Sequence, residues 1–131
     1  MIIENGKLKM MEKKENIVMN KSYVFALRII KLYKHLLAEQ KEYVLSKQIL
    51  RSGTAIGALV KEAEHAQSKA DFINKMNIAL KEANETEYWL MLLKDSDYLD
   101  ERSFQSIHSD SSELIKLLAS IVKTSKQNNG K

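Results

Sequence analysis

The chain has 131 residues, enough for one domain with a full-sized core, and its 21 Lys and Arg against 17 Asp and Glu leave a formal charge of +4. The absence of Cys excludes a disulfide framework and a thiolate metal site, and fits a reducing cytoplasm. No apolar run approaches the ~20 residues of a membrane span, the mixed charged N-terminus does not read as a secretory signal, and +4 is too small to identify a nucleic-acid partner. With no Pro, four Gly and abundant Ala, Leu, Lys, Glu and Met, the expectation is an all-α fold.

Residues 1–19 lack a sustained apolar period and read as a flexible lead-in. The segment before Met11 reads as a tail or an upstream start, and Ile17, Val18 and Met19 as an extended stretch that docks on the domain. The first helix is expected from about Asn20 or Lys21 to Glu39. Phe25, Ile29, Leu32 and Leu36 make its apolar stripe, widened by Ala26, Ile30, Tyr33 and Leu37. Arg28, Lys31 and Lys34 lie away from that stripe as a basic ridge. It is either an ordinary solvated face or a row of phosphate contacts.

Lys41 and Glu42 mark a turn, and Ser46 is the expected N-cap of the second helix. Small and apolar residues then alternate by fours and threes through Leu45, Ile49, Ser52, Ile56, Leu59, Ala63 and Ala66. Gly53 and Gly57 each cost about 1 kcal/mol against Ala in a helix interior. Spaced by four, they leave one face bare for a close neighbour, either within the bundle or on another subunit. Ser68 caps the third helix, with Asp71 completing a box-like arrangement.

The third helix runs from about Lys69 to Leu93. Phe72, Met76, Ala79, Ala83, Thr86, Leu90 and Leu93 form a bundle seam of three heptads. Tyr88 and Trp89 are adjacent and cannot both face one core, which makes them interface candidates. After the break at Asp95–Asp100, a fourth helix begins near Asp100 and ends near Lys126. Its stripe is Phe104, Ile107, Ser111, Leu114, Leu118 and Ile121, and residues 127–131 read as a disordered tail. Residues 20–126 are thus expected to form an antiparallel up-down-up-down four-helix bundle.

Little in the chain suggests catalysis. Glu62 and His65 form one Glu-x-x-His motif of the kind that di-iron bundles use in pairs; His35 and His108 have no Glu three residues before them, so the set is half of a site. No glycine-rich phosphate loop follows a strand. No cofactor is expected. Antiparallel pairing of the second and third helices puts Arg51 level with Glu85 and Glu87, and Arg51 and Glu62 return to nearly one face three turns apart. Arg51, Glu62, Glu85 and Glu87 are therefore a candidate buried polar set, and Arg51→Ala is expected to damage the fold more than Lys31→Ala.

The run QILRSGTAIGA from Gln48 to Ala58 with Glu62, the pair Asp71 and Phe72, the run IALKEANETEYWL from Ile78 to Leu90, and Tyr98 with Leu99 together resemble the bacterial four-helix bundle proteins encoded in intervening sequences of 23S ribosomal RNA genes. The resemblance spans about Tyr23 to Val122. The chain departs from the family pattern at Leu59, where Asn is common, and at Ala63, where Gly is common. The resemblance implies an antiparallel bundle, assembly into a ring-shaped homopentamer and no known enzyme activity. A related branch, the accessory variability determinants of diversity-generating retroelements, binds nucleic acid through basic surface and partners a reverse transcriptase. For this chain it therefore implies RNA or a ribonucleoprotein as partner. A protein-binding scaffold with no nucleic-acid role is the alternative, marked by an exposed Tyr88, Trp89 or Met91.

Overall fold

The computed structural model describes residues 2–129, and among them every regular element is a helix: α1 (Ile2–Ala38), α2 (Leu45–Glu64), α3 (Lys69–Asp95) and α4 (Glu101–Asn129). Each helix packs on its chain neighbours, and α4 returns to α1, so the four form a closed cycle with α1 diagonal to α3. Named pairs give the direction. Lys14, Lys21 and Arg28 of α1 meet Ser120, Glu113 and Asp110 of α4 in descending order. Ser52 and Glu62 of α2 meet Thr86 and Lys75 of α3. Adjacent helices are therefore antiparallel, as the short connections require. None of the described helices is long and apolar enough to cross a membrane.

The core is built from the stripes read in the sequence. Phe25, Ile29 and Leu36 of α1, Ile49 and Ile56 of α2, Met76, Leu90 and Leu93 of α3, and Leu114, Leu118 and Ile121 of α4 are all fully buried. Each side chain of this size contributes about 1.5–3 kcal/mol when removed from water. Small residues fill the points of closest approach. Ser52 and Thr86 are both buried, and their hydroxyls are 2.9 Å apart. Thr86 also lies 2.8 Å from the Glu82 carbonyl, so it donates there and accepts from Ser52.

Helix α1 corrects the sequence reading most. It begins at Ile2, not near Asn20, and Ile17–Met19 are helical rather than extended. Val18 is fully buried one heptad before Phe25, and Met11 packs on the core one heptad earlier still. The intervening MEKKEN is polar but made of good helix formers, so it carries the helix without an obvious stripe. Glu15 is half-buried near the α2–α3 turn. Its carboxyl is raised, first by burial and then by Glu12, with Lys69 opposing and Glu64 adding. At the other end α4 runs through Asn129, past the expected stop at Lys126; positions 130 and 131 of the expected tail lie outside the described residues.

The caps also differ from expectation. Ser46 is buried inside α2 and is not its N-cap. Glu42 does that work: its carboxylate accepts from the backbone N–H groups of Val44, Leu45 and Ser46 at 3.2, 2.9 and 2.7 Å. Helix α3 starts as read, with Ser68 Oγ accepting from the Asp71 N–H at 3.0 Å, although Asp71 reaches back to Gln67 rather than to Ser68. It ends in a Schellman turn. Asp97 sits at φ 67°, and the Tyr98 N–H donates to the Leu93 carbonyl at 2.8 Å. Lys41 takes the same left-handed conformation, at φ 55°, after α1.

Candidate functional site

The positive charge of the chain is concentrated on one helix. Between Ile2 and Ala38 there are eight Lys and Arg against three Glu, so α1 alone exceeds the net charge of the whole chain. The ridge read from the sequence divides in two. Arg28 turns toward α4, where its Nη1 donates to Asp110 Oδ2 at 2.6 Å and its Nη2 to Ser106 Oγ at 2.9 Å. Lys31 and Lys34 are exposed and make no ion pair among the described residues. The free charge of the ridge is therefore carried by the two lysines, with Arg28 as a fixed and partly neutralised base beside them.

An open cleft of about 830 Å³ adjoins the ridge, between the second half of α1, the α3–α4 turn and the first turns of α4. Arg28, Lys31, His35 and Arg102 supply its cationic and imidazole groups, and Leu32, Leu99 and Ile107 its apolar surface. Lys34 is not among its lining residues. His35 and Arg102 were not singled out from sequence. His35 had a signal, being seven residues from Arg28 and four from Lys31 on one helical face. Arg102 reaches the cleft only because α4 folds back along α1. Asp100 also lines the cleft, but the Ser103 backbone N–H donates to it at 2.7 Å and holds its carboxyl below the usual range, helped by the Ser103 hydroxyl.

The candidate polar set separates into three groups. Arg51 meets Glu85 and Glu82 across the α2–α3 seam, not Glu87 or Glu62, and its side chain is 52% exposed rather than buried. Trp89 donates its Nε1–H to Glu85 at 2.9 Å. This bond is the main influence holding the Glu85 carboxyl low, against the opposing effect of burial and with help from Arg51. Glu62 pairs with Lys75 at 3.4 Å. Glu87 lies 2.9 Å from His108, whose ring stacks on Phe104. Glu62 and His65 do not converge either, since His65 is past the end of α2 and 78% exposed at its side chain. Among the described residues no three or more His, Asp or Glu side chains are grouped to hold a metal ion.

The two glycines face α1. A Cβ at Gly53 would lie against Ile29, and one at Gly57 would approach the backbone of Ser22. Tyr88 and Met91 are exposed on α3, while Trp89 is partly buried against the core and meets Tyr88 edge to face. The sequence reading missed a second apolar surface: Tyr23, Val24 and Leu27 stand exposed on α1. Their spacing of four from Tyr23 to Leu27 was legible, but Leu27 and Val24 were left unassigned beside the stronger buried stripe.

The model of the 23S rRNA-intervening sequence protein family matches residues 14–120. In structure, the chain is similar to a protein of unknown function from the S23 ribosomal protein family of Bacteroides thetaiotaomicron VPI-5482. The two share 64% identity and a TM-score of 0.83, over 84% of this chain and 98% of that one. No curated protein matches the sequence.

Proposed function

We infer the function from the family: the chain belongs to the 23S rRNA-intervening sequence proteins, and we propose that it is a non-catalytic, oligomeric bundle that binds structured RNA through the basic outer face of α1. The observation that carries this reading is the concentration of charge on α1, with Lys31 and Lys34 exposed and unpaired among the described residues. Lysines in that state neutralise phosphates and release counterions, which gives affinity without base recognition.

Self-association belongs to the same reading. The exposed apolar groups of α1 and α3 lie on diagonal helices, so they point away from each other and pair only between copies. Such head-to-tail pairing closes rings when the rotation allows it. The pentamer implied by the resemblance would carry about +20 and gain avidity from repeated weak phosphate contacts.

The test is binding of a structured RNA across a salt series, with the wild-type chain and with Lys31 and Lys34 both changed to Ala. The reading expects tight binding at low salt, a steep decline with salt, and a shallower slope in the variant. Absence of binding at low salt overturns it. Tyr88 and Met91, exposed on α3, then favour the second reading, a protein-binding scaffold.

A further inference from the structure

We propose that the cleft between α1 and the start of α4 binds a single nucleotide unit, a base together with its phosphate. This goes beyond the lysine face of α1, with which the cleft shares Lys31 alone. The cleft has the two chemistries such a unit needs. Leu32 and Ile107 are core residues that show only an edge at its floor, and Leu99 and Tyr98 extend this apolar and aromatic surface up one wall. A base has a flat apolar face that packs on such a surface. Lys31, His35 and Arg102 stand around it and make no ion pair among the described residues.

Arg28 is committed to Asp110, so Lys31 and Arg102, unpaired among the described residues, are the cations that a phosphate would meet. Asp97 and Asp100 are the carboxylates of the lining, and they face Arg28, Lys31 and Arg102. Asp100 is engaged by the Ser103 N–H, and among the described residues neither carboxylate forms an ion pair with Lys31 or Arg102. The volume of about 830 Å³ lies within the ~300–1,000 Å³ of small-molecule sites. Two walls are fixed before any ligand arrives. Arg28 is held to Asp110 and Ser106, and Tyr98 is pinned through its backbone to Leu93. In those two walls little ordering is left for binding to impose, and the cost falls on Lys31, His35 and Arg102. A phosphate without a base would leave the apolar wall unused, and a base without a phosphate would leave the cations unused.

The source of the nucleotide is either a free mononucleotide or an unpaired residue of an RNA. Adenosine monophosphate, adenosine and inorganic phosphate are titrated calorimetrically into the full chain, and into a variant carrying His35→Ala and Arg102→Ala. Both side chains are on the surface, so the variant keeps the wild-type melting temperature. The expected result is saturable binding of the monophosphate, with adenosine and phosphate each about tenfold weaker or worse, and a loss of about tenfold or more in the variant. No saturable binding of the monophosphate, or equal binding by the variant, overturns the site. An RNA hairpin with and without one unpaired 3′ nucleotide then separates the sources. An advantage of the overhang that vanishes in the variant identifies an RNA residue; equal binding of the two hairpins by a chain that holds the monophosphate identifies a free nucleotide. Hairpin binding that persists with no monophosphate binding and no overhang advantage removes the cleft and leaves the lysine face standing.

Discussion

Gly53 on α2 lies so near Ile29 on α1 that a Cβ at Gly53 would sit 2.8 Å from Ile29 Cγ1 and 2.9 Å from Cγ2. Both atoms branch from the stiff first torsion of Ile29, which has little freedom to withdraw. Gly57, one turn on, would place its Cβ 3.4 Å from the Ser22 carbonyl oxygen, an ordinary contact. Overpacking costs about 1–3 kcal/mol, and replacing a helical Gly by Ala returns about 1 kcal/mol. Gly53→Ala is predicted to lower stability by up to about 2 kcal/mol, and Gly57→Ala to leave it level or raise it by up to ~1 kcal/mol. Urea unfolding of the two variants checks this; a Gly53→Ala protein as stable as Gly57→Ala refutes it.

Glu42 provides the second test. Burial on its own would raise its carboxyl, but the N–H groups of Leu45, Ser46 and Val44 outweigh that and hold it below the ordinary value. A depressed folded value means that the stabilisation is complete above about pH 4.3, the ordinary glutamate value, and is lost as pH falls through the folded one. Glu42→Gln is predicted to cost about 1–2 kcal/mol at neutral pH, as for loss of a helix cap. It should also lose less stability than the wild type on acidification. Thermal melts from pH 7 to pH 3 measure both, and parallel curves for the two proteins contradict the prediction.

Lys41 adopts a left-handed backbone at φ 55°, which costs a residue with a Cβ about 1–2 kcal/mol relative to glycine. Part of that gain is offset by the greater freedom of glycine in the unfolded chain. Lys41→Gly is therefore predicted to raise stability by about 0.5–1 kcal/mol. A drop in the urea midpoint shows that the Lys41 side chain, whose Nζ lies 3.0 Å from the Ala38 carbonyl, matters more than the turn.

The exposure of Arg51 resets an expectation drawn from sequence. An ion pair half open to water contributes about 0.2–1 kcal/mol, and Arg51 has two carboxylate partners. Arg51→Ala should cost about 0.5–1 kcal/mol, still more than Lys31→Ala, which has no partner to strand among the described residues. Raising the salt should narrow the difference. A loss of 3 kcal/mol or more, of the size expected for a buried pair, contradicts the surface assignment.

Legibility followed the strength of the local signal. The apolar stripes of α2, α3 and α4 were readable because their spacing repeats from Ile49 to Ala63, Met76 to Leu93 and Phe104 to Ile121, although in α2 the core takes Val60 and leaves Leu59, the residue read into the stripe, only partly buried. The first half of α1 was not, since Met11 and Val18 are single core contacts a heptad apart among charged residues. Capping by Glu42 was hidden because a carboxylate outside the helix did the work expected of Ser46. The cleft was least legible, because Arg102 and His35 are about 67 residues apart and only antiparallel folding of α4 on α1 brings them to one cavity.

The seam between α1 and α4 is the sparsest of the four, and Lys14–Ser120, Lys21–Glu113 and Arg28–Asp110 lie along it. It joins the first helix of the chain to the last, so it is also where the cycle of helices closes. Lys21–Glu113 and Arg28–Asp110 are exposed charge pairs, which weaken as ionic strength rises. The zipper that closes the barrel of helices is thus tuned by the same variable that governs phosphate binding. Amides of α1 and α4 should exchange with solvent sooner in concentrated salt than those of α2 and α3, and a nucleic acid released by salt would leave behind a bundle already loosened along one edge.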